Sequence, residues 1–313
     1  MRHLNLAVYG GLLACIGLGT QSALASLSIG FESTEGYTGS ATGTAVVGQN
    51  GWFSDGSLSW QVHTYTDAQV PWEAEHNPTS PQVWTPSAVN PDGGSQFLAL
   101  GCADIAHTHT AINPGGRSFV ATGSPIAQGL VEVTVDICIK GLPANALGNE
   151  LAYNPWNWSL SPRTNAGGGG GIGQISQTVG SGGITTWGVN YYAGGGYTGN
   201  LLGITGFDNL SFDHWYKMGY LLDTVNGAYN EFMMKDLVTG DVWTYTPTSP
   251  ISTGLGGGDI NAVRMYSVGW TGAAGVDNLY VGDYQSLVWV PEPSTWALFG
   301  LGSIGLLTTR RRK

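Results

Sequence analysis

The acidic residues are the first candidates for chemistry, because hydrolysis of a glycosidic bond uses two carboxylates placed on either side of that bond. Glu73 and Glu75 have a suitable spacing, since alternate residues of an extended strand share one face. Glu132 and Asp136 could share a face in the same way. The first pair lies between prolines and the second on the outward side of a predicted strand, so both are interpreted as solvated side chains. We therefore predict no catalytic residue and a non-enzymatic protein.

Metal binding is the second chemistry that the sequence permits. His107 and His109 could place two imidazoles on one side of a strand, but no third ligand is apparent near them. Calcium prefers oxygen ligands, which loop Asp and Asn residues supply, although the chain has no Asp-x-Asp-x-Asp-Gly loop. The weak calcium candidates are Asp208 and Asp277, together with Asn90, Asp92, Asn209 and Asn278. We predict no cofactor and no metal site, with calcium as the alternative.

Tryptophans offer a third chemistry, because the flat face of an indole can stack on the C–H face of a sugar ring. Five of them lie in stretches that resemble loops rather than alternating strands. These candidate glycan-binding residues are Trp72, Trp84, Trp156, Trp158 and Trp187. The alternative interpretation is that these large apolar side chains cover the core beneath long loops.

The elements that must position these side chains are strands. Between Ser26 and Val290 the recurring pattern is alternation of apolar and polar residues, with almost no helical period. Residues 130–139 are the clearest strand, with apolar side chains at every second position that we expect to face inward. Asn226-Gly227 predicts a hairpin between two further strands. The pattern predicts a single all-β domain over residues 26–288.

One short sequence occurs twice in this domain. Residues 206–210 are Gly-Phe-Asp-Asn-Leu, and residues 275–279 are Gly-Val-Asp-Asn-Leu. Two copies so far apart do not make a repeat array. We interpret them as one solution for the passage from a turn into a strand, used in two places.

Charge and cysteine content restrict the partners and the compartment. The chain carries a formal net charge of −10, which argues against nucleic acid as a partner. Two of its cysteines, Cys102 and Cys138, lie outside the apolar N-terminal segment. In an oxidising compartment these two could form a disulfide, and two free buried thiols are the alternative.

The N-terminus has the three parts of a secretory signal peptide. Arg2 and His3 form a short basic region, and residues 4–18 are apolar. Ala23 and Ala25 complete an Ala-x-Ala cleavage site, which makes Ser26 the predicted mature start. We therefore predict a signal peptide over residues 1–25 and export through the Sec machinery.

The C-terminus, residues 289–313, also has three parts. Pro291, Glu292 and Pro293 form an extended and accessible segment, because each proline disfavours helix in the residue before it. Residues 296–309 are a predicted transmembrane helix that would reach about 21 Å, which is short for a hydrocarbon core of about 30 Å. The basic end consists of Arg310, Arg311, Arg312 and Lys313. It would hold the tail on the cytoplasmic side of the membrane.

This three-part ending resembles the PEP-CTERM sorting signal of exported bacterial proteins. The resemblance implies recognition by an exosortase, a membrane cysteine protease, with cleavage near Pro291–Pro293. It also implies a Gram-negative host that makes exopolysaccharide. The protein would then reside transiently in the inner membrane and finally at the cell surface or in the extracellular biofilm matrix.

The body resembles the concanavalin-A-like, or laminin-G-like, jelly roll. The similar parts are Phe31-Glu32 at the start, the hairpins of residues 215–242, and residues 276–281 at the end. The resemblance implies an antiparallel jelly-roll β-sandwich, which the signal peptide and the short transmembrane helix would flank. We expect a structural or adhesive role with exopolysaccharide. The alternatives are a carbohydrate-binding, lectin-like module and a glycosidase or polysaccharide lyase.

Overall fold

The computed structural model describes the chain between Ser26 and Tyr284, with gaps. The described residues are 26–53, 61–66, 68, 70–72, 82–101, 116–118, 125–140, 157–165, 170–179, 186–194, 196–268 and 273–284. The predicted signal peptide and the predicted sorting tail, with its transmembrane segment 296–309, lie outside them. Within the described ranges, no helix has both the length and the apolar character that a membrane span requires.

The described residues contain nineteen β-strands and, as their one helical element, a 3-10 turn at Ser33–Glu35. The strands are β1 (Leu27–Ile29), β2 (Thr44–Ala45), β3 (Gln61–Thr64), β4 (Val70–Trp72), β5 (Gln82–Trp84), β6 (Gln96–Gly101), β7 (Gly116–Ser118), β8 (Leu130–Ile139), β9 (Asn157–Arg163), β10 (Ile175–Val179), β11 (Thr186–Ala193), β12 (Gly196–Asn200), β13 (Leu210–Ser211), β14 (Trp215–Asp223), β15 (Ala228–Asp236), β16 (Val242–Tyr245), β17 (Ile251–Ser252), β18 (Ala262–Val268) and β19 (Ala273–Asp283).

Ten of these strands form the main sheet. Their order is β16-β15-β14-β8-β19-β6-β3-β2, with β1 paired to β19 and β17 paired to β15. The pairings between these strands are antiparallel, and the β14–β15 hairpin surrounds the predicted Asn226-Gly227 turn. Gly227 has φ of +62°, a left-handed conformation that glycine adopts without strain. The predicted hairpin is therefore confirmed.

Seven strands form the second sheet, which packs against the main one. Its order is β12-β11-β10-β9-β18-β7, with β13 paired to β11. Val133 and Val135 of the main sheet belong to the same buried cluster as Trp158, Leu160 and other side chains of the second sheet. An alternating strand places every second side chain in such a layer, away from water. The prediction of an all-β fold with antiparallel sheets is thus confirmed.

The outer face of the main sheet, which points away from the second sheet, is also covered. A two-stranded sheet of β4 and β5 supplies Val70 and Trp84 to a buried cluster with Phe97, Cys138 and Trp215. These last three side chains lie on the outer face, because their neighbours along each strand point into the sandwich core. The β4–β5 hairpin therefore makes a partial third layer over the main sheet.

Strand β8 lies in the middle of the main sheet, and both of its faces are buried. The strand spans residues 130–139 as predicted, and its apolar side chains face the core. Glu132 and Asp136 lie on the opposite face and are both 0% exposed. The prediction that they are solvated is therefore wrong. The alternation showed correctly which side they face, but it could not show that other parts of the chain cover that side.

Candidate functional site

A row of three charged residues crosses the middle of the outer face. Asp277 on β19, Asp136 on β8 and Lys217 on β14 are direct neighbours in register. The Lys217 Nζ atom lies 2.8 Å from Asp136 Oδ1 and 3.7 Å from Oδ2 of Asp92. Lys217 and both carboxylates of the row are buried. Burial of a charge is costly unless a partner offsets it, so the Lys217–Asp136 ion pair is the electrostatic centre of this region.

Two asparagine amides hold the two buried carboxylates together. Asn90 Nδ2 donates to Asp136 Oδ2 at 2.8 Å and lies 3.3 Å from Asp277 Oδ2. Asn278 Nδ2 donates to Asp136 Oδ2 at 2.8 Å and to the carbonyl oxygen of Asp92 at 2.9 Å.

A tyrosine hydroxyl completes this set of contacts. Tyr65 donates to Asp277 Oδ2 at 3.0 Å. We call the whole set the outer-face cluster, and its members are Tyr65, Asn90, Asp92, Asp136, Lys217, Asp277 and Asn278.

A bulge in β19 places Asn278 in this cluster. The register between β19 and β8 shifts between Asp277 and Tyr280, and Asn278 has φ of +45°. Asparagine tolerates this left-handed region better than most residues. The Asn278 backbone N–H also donates to Asp277 Oδ1 at 2.8 Å, so the bulge is closed locally.

The loop before β6 brings Asn90 and Asp92 onto the sheet, and Glu32 anchors it. The Glu32 carboxylate accepts hydrogen bonds from the backbone N–H groups of Ser95 and Gln96, both at 2.9 Å, and from the Ser95 hydroxyl at 2.8 Å. Gly94 leaves room for this carboxylate, because a Cβ atom there would lie 2.5 Å from Glu32 Oε1. Glu32, three residues after the end of β1, therefore fixes the loop that carries Asn90 and Asp92, two of the seven members of the cluster.

Burial dominates the electrostatics of the cluster. It raises the pKa of Asp277 well above its usual value, and the nearby Asp136 charge raises it further. Burial also raises the pKa of Asp136, against the opposing effects of Lys217 and the two asparagines. The pKa of Tyr65 is raised, first by burial and then by the Asp277 charge.

A cavity of about 210 Å³ lies beside the cluster. Its lining combines charged groups with hydroxyls and an amide: Ser28, Asp92, Glu132, Thr134, Lys217, Asn278 and Tyr280. Four strands and the loop before β6 supply this lining, because Ser28 lies on β1, Thr134 on β8, Lys217 on β14, Tyr280 on β19 and Asp92 in the loop.

The environment of the calcium candidates argues against a cation at Asp277. Its oxygens already accept hydrogen bonds from a hydroxyl, an amide and a backbone N–H, and these donors repel a cation. Asp208 lies in a separate turn, where it accepts from the Gly203 and Asn209 backbone N–H groups at 2.9 and 2.8 Å. Among the described residues, no group of three or more His, Cys, Asp and Glu side chains is suited to a metal ion.

Three of the predicted glycan-binding tryptophans are buried. Trp84, Trp158 and Trp187 lie in β5, β9 and β11 and are 6%, 0% and 2% exposed. The prediction that they lie in loops is wrong, because all three lie in strands. The alternation of side chains along β9 and β11 turns Trp158 and Trp187 into the core between the sheets. Trp72 is part of β4, but its side chain is outside the description, and Trp156 lies outside the described residues.

Cys138 is a free, buried cysteine, so the predicted disulfide with Cys102 is not formed in the structure. Its thiol lies 3.9 Å from Asp213 Oδ1, and burial raises its pKa well above the usual value. This agrees with the alternative of a free buried thiol for Cys138. Cys102 lies outside the described residues.

Several other predicted site residues lie outside the described part of the chain. They are Ala23, Ala25, Glu73, Glu75, His107, His109, Pro291, Glu292, Pro293, Arg310, Arg311 and Arg312. Ser26, the predicted mature start, is the first residue that the structure describes.

The structure brings together candidate residues that lie far apart in the sequence, and it adds Lys217 and Tyr65 to them. Four of the calcium candidates, Asn90, Asp92, Asp277 and Asn278, meet in the outer-face cluster. The residue types and spacing alone do not indicate Lys217 or Tyr65 as site residues. Lys217 did carry a signal, because a lysine inside the apolar strand Trp-Tyr-Lys-Met-Gly-Tyr indicates a buried charge that needs a partner.

Comparison with protein families finds the PEP-CTERM protein-sorting motif at residues 290–313. The resemblance of the tail is therefore confirmed. The motif indicates an exported protein that is anchored in a membrane before exosortase-dependent processing. None of the curated proteins matches the chain.

Solved structures similar to the chain include lectin-like folds of the kind that the sequence resembles. Arcelin-5, a lectin-like defence protein from Phaseolus vulgaris, is 7% identical with a TM-score of 0.37, and the match covers 84% of this chain and 100% of that one. A protein of unknown function from Shewanella oneidensis is 13% identical with a TM-score of 0.39, covering 82% and 85%. An alginate lyase is 10% identical with a TM-score of 0.37, covering 84% and 99%. At these TM-scores the similarity carries no argument about what this chain binds or does.

Proposed function

We propose that this chain is an exported, non-enzymatic protein of the cell envelope or extracellular matrix, with a structural or adhesive role with exopolysaccharide. Its body would be a jelly roll of the concanavalin-A-like kind. The observation that carries the proposal is the PEP-CTERM motif at residues 290–313. The antiparallel pairing of β1 with β19, the first and last of the described strands, supports a body whose two ends meet in one sheet.

The position of the chain ends supports processing of a folded body. In the register of β1 and β19, Leu27 pairs with Val281, so Ser26 lies next to Gly282. Strand β19 ends at Asp283, and Pro291 follows eight residues later. Eight extended residues span at most about 28 Å. A membrane protease could therefore reach the Pro-Glu-Pro segment while the body remains folded close to the bilayer.

The geometry of the outer-face cluster supports a non-enzymatic role. Glycosidase carboxylates stand at least about 5 Å apart, because the sugar has to lie between them. Asp136 and Asp277 instead share one amide donor, Asn90 Nδ2, which fills the space between them. Their remaining contacts are with fixed protein donors. This arrangement suits stabilisation of the fold better than proton transfer to a substrate.

Replacement of Pro291, Glu292 and Pro293 by alanine tests the sorting step. In the native host, the unchanged chain should be recovered from the matrix or medium without Arg310–Lys313, as judged by intact mass. The triple variant should remain in the inner membrane with its basic end. The Pro250→Ala variant is the control, because it removes an exposed proline of the body and should be sorted normally. Normal release of the triple variant would contradict the proposal.

Incubation with the host exopolysaccharide tests the non-enzymatic role. The protein should sediment with the polysaccharide and produce no new reducing ends and no unsaturated uronate. Steady formation of either product would identify a glycosidase or a lyase and would overturn the proposal.

A further inference from the structure

The cavity beside the outer-face cluster has a floor of hydroxyl groups. Ser28, Tyr280 and Thr134 are side by side on three adjacent strands, because Ser28 pairs with Tyr280 and Tyr280 with Thr134. Cross-strand neighbours point to the same side of a sheet, so these three side chains line one surface. The Tyr280 hydroxyl donates to the carbonyl oxygen of Asp283 at 2.8 Å, which fixes its position.

Lys217 borders this floor with unused hydrogen-bonding capacity. Its side chain is only 8% exposed, and its ammonium group has three donors. The contacts of Nζ are Asp136 at 2.8 Å and Asp92 at 3.7 Å. Asp136 Oδ1 has no well-aligned hydrogen-bond donor among the described residues, despite the nearby ammonium. A buried ammonium with a spare donor, at the wall of a cavity, suits an oxygen of a bound ligand.

The charges around the cavity favour a ligand with a positive charge. The Asp136 carboxylate offsets Lys217, so the partly exposed Asp92 carboxylate is the charge that a ligand would meet at the mouth of the cavity. An anionic ligand would be repelled, and the net charge of −10 on the whole chain acts in the same direction.

The size of the cavity restricts the ligand to a small unit. A volume near 210 Å³ corresponds to about seven water molecules, which is the scale of a single sugar ring. The Asp92 side chain is 40% exposed, so the cavity opens on its side, and a longer chain could continue from there into solvent.

We propose that this cavity binds one amino-sugar residue. The hydroxyl groups of the sugar would lie against Ser28 and Thr134. Its ring oxygen would accept a hydrogen bond from Lys217, and its ammonium group would face Asp92. The inference rests on the proposed function in one respect, since the exopolysaccharide would supply the ligand.

Binding of three monosaccharides to the purified full chain tests this site. Glucosamine should bind with a dissociation constant on the order of 1 mM, measured by calorimetry or by saturation-transfer NMR. Glucose, which has the hydroxyls but no charge, should bind about tenfold more weakly. Glucuronic acid should not bind. Absence of glucosamine binding, or equal binding of glucuronic acid, would overturn the inference.

Two variants locate the binding. Asp92→Asn should weaken glucosamine about tenfold and leave glucose unchanged, because it removes only the charge. Asp241→Asn is the matched control, since Asp241 is exposed, does not line the cavity, and should have no effect. Ser28→Leu should abolish binding of both sugars by filling the cavity. Thr134→Val removes a hydroxyl without adding volume and should weaken both sugars, so it tests the site even if the leucine variant fails to fold.

Unchanged affinity in Asp92→Asn and Thr134→Val would place the sugar elsewhere and refute the site. The proposed function is tested separately by the mass of the chain released in its host. Normal release without glucosamine binding would refute this site alone. Failed release would refute the sorting proposal and leave the binding result unaffected.

Discussion

Residues 208–210 and 277–279, both Asp-Asn-Leu, share two local features, although the first lies before a strand and the second within one. Asn209 and Asn278 are both left-handed, with φ of +58° and +45°. In each copy the Asp side chain accepts a hydrogen bond from the N–H of the following Asn, at 2.8 Å in both cases. The next residue, Leu210 or Leu279, is buried in the sandwich core. The Asp-Asn-Leu sequence therefore produces the same asparagine conformation in two settings. Residues 208–209 lie in a turn before β13, as expected, whereas residues 277–278 lie at a bulge inside β19, so the expected passage from a turn into a strand is wrong for the second copy.

The surroundings of the two Asp residues differ completely. Asp208 has its second partner, the Gly203 N–H, within its own loop, and it is partly exposed. Asp277 is fully buried, and its partners Tyr65 and Asn90 are 212 and 187 residues away in sequence. The local sequence thus determines the backbone conformation of the asparagine, and distant residues determine what the aspartate carboxylate contacts.

The position of each copy in its sheet explains the difference. Asn209 precedes β13, a strand of two residues that pairs with β11 alone among the described strands. Asn278 lies within β19, a strand of eleven residues with β8 on one side and β6 on the other. A carboxylate in the middle of a covered sheet has no access to water, so it must take its partners from the protein.

The largest expected effect on stability comes from the ion pair beside the buried Asp277. Lys217→Met should lower the free energy of unfolding by about 3–5 kcal/mol, because it leaves Asp136 buried without its cation. Urea denaturation of the purified protein measures this change. Lys235→Met is the control: Lys235 is the direct cross-strand neighbour of Lys217 and is only partly buried. It should change stability by less than about 0.5 kcal/mol. Equal effects of the two substitutions would contradict the assigned role of the ion pair.

Alanine at the two Asp positions tests the comparison directly. Asp277→Ala should cost about 3 kcal/mol of unfolding free energy, because it leaves the Tyr65 hydroxyl and an Asn90 N–H buried without their acceptor. Asp208→Ala should cost about 1 kcal/mol or less, since water can replace the lost acceptor. Thermal or urea denaturation of both variants gives the two values. If Asp208→Ala were the more destabilising change, the distant partners of Asp277 would not be the source of its stability.

The pH dependence of stability sharpens the comparison further. The pKa of Asp277 is raised by burial above its unfolded value of about 4. A carboxyl group of this kind contributes stability that is present below the unfolded pKa and is lost as pH rises through the folded pKa.

Asp277→Asn removes this titration. The stability of the variant relative to the unchanged protein should therefore increase as pH rises above about 4, by about 1.4 kcal/mol for each unit of pKa shift. Urea denaturation at a series of pH values measures the difference. A constant difference over that range would show that Asp277 titrates as it does in the unfolded chain.

The sequence alone predicted what is local in this fold. Strand β8 was placed correctly because its alternation is a property of ten consecutive residues, and the Asn226-Gly227 hairpin followed from two. The sorting tail was identified in the same way, and the family motif confirms it. Each of these features is specified by neighbours in the chain.

The candidate site was predicted only in part, because it depends on register and on a third layer. The sequence indicates Asn90 and Asp277 as candidate oxygen ligands, but nothing local shows that one amide lies between two carboxylates. Alternation predicts that Glu132 faces solvent, but the side chain is buried, because alternation along a strand does not reveal what covers the strand. The sequence predicts a loop at Trp158 because strand β9 has serines on its other face and a proline near its end, which weaken the apolar pattern.

The smallest expected effect concerns the backbone that the two copies share. Asn209→Gly should change the free energy of unfolding by only about 0.3 kcal/mol, because glycine adopts φ of +58° freely and the exposed side chain has no distant partner to lose. Asn278→Gly keeps the same backbone but removes the hydrogen bonds to Asp136 and to the Asp92 carbonyl, so it should cost about 1–2 kcal/mol.

Alanine in place of glycine should add about 1 kcal/mol of left-handed strain at both positions. Denaturation of the four variants separates the two contributions. The alanine-minus-glycine difference measures the strain of the left-handed conformation, and the difference between the two glycine variants measures the distant contacts. Unequal alanine-minus-glycine differences would show that the left-handed conformation does not carry the same strain in the two places.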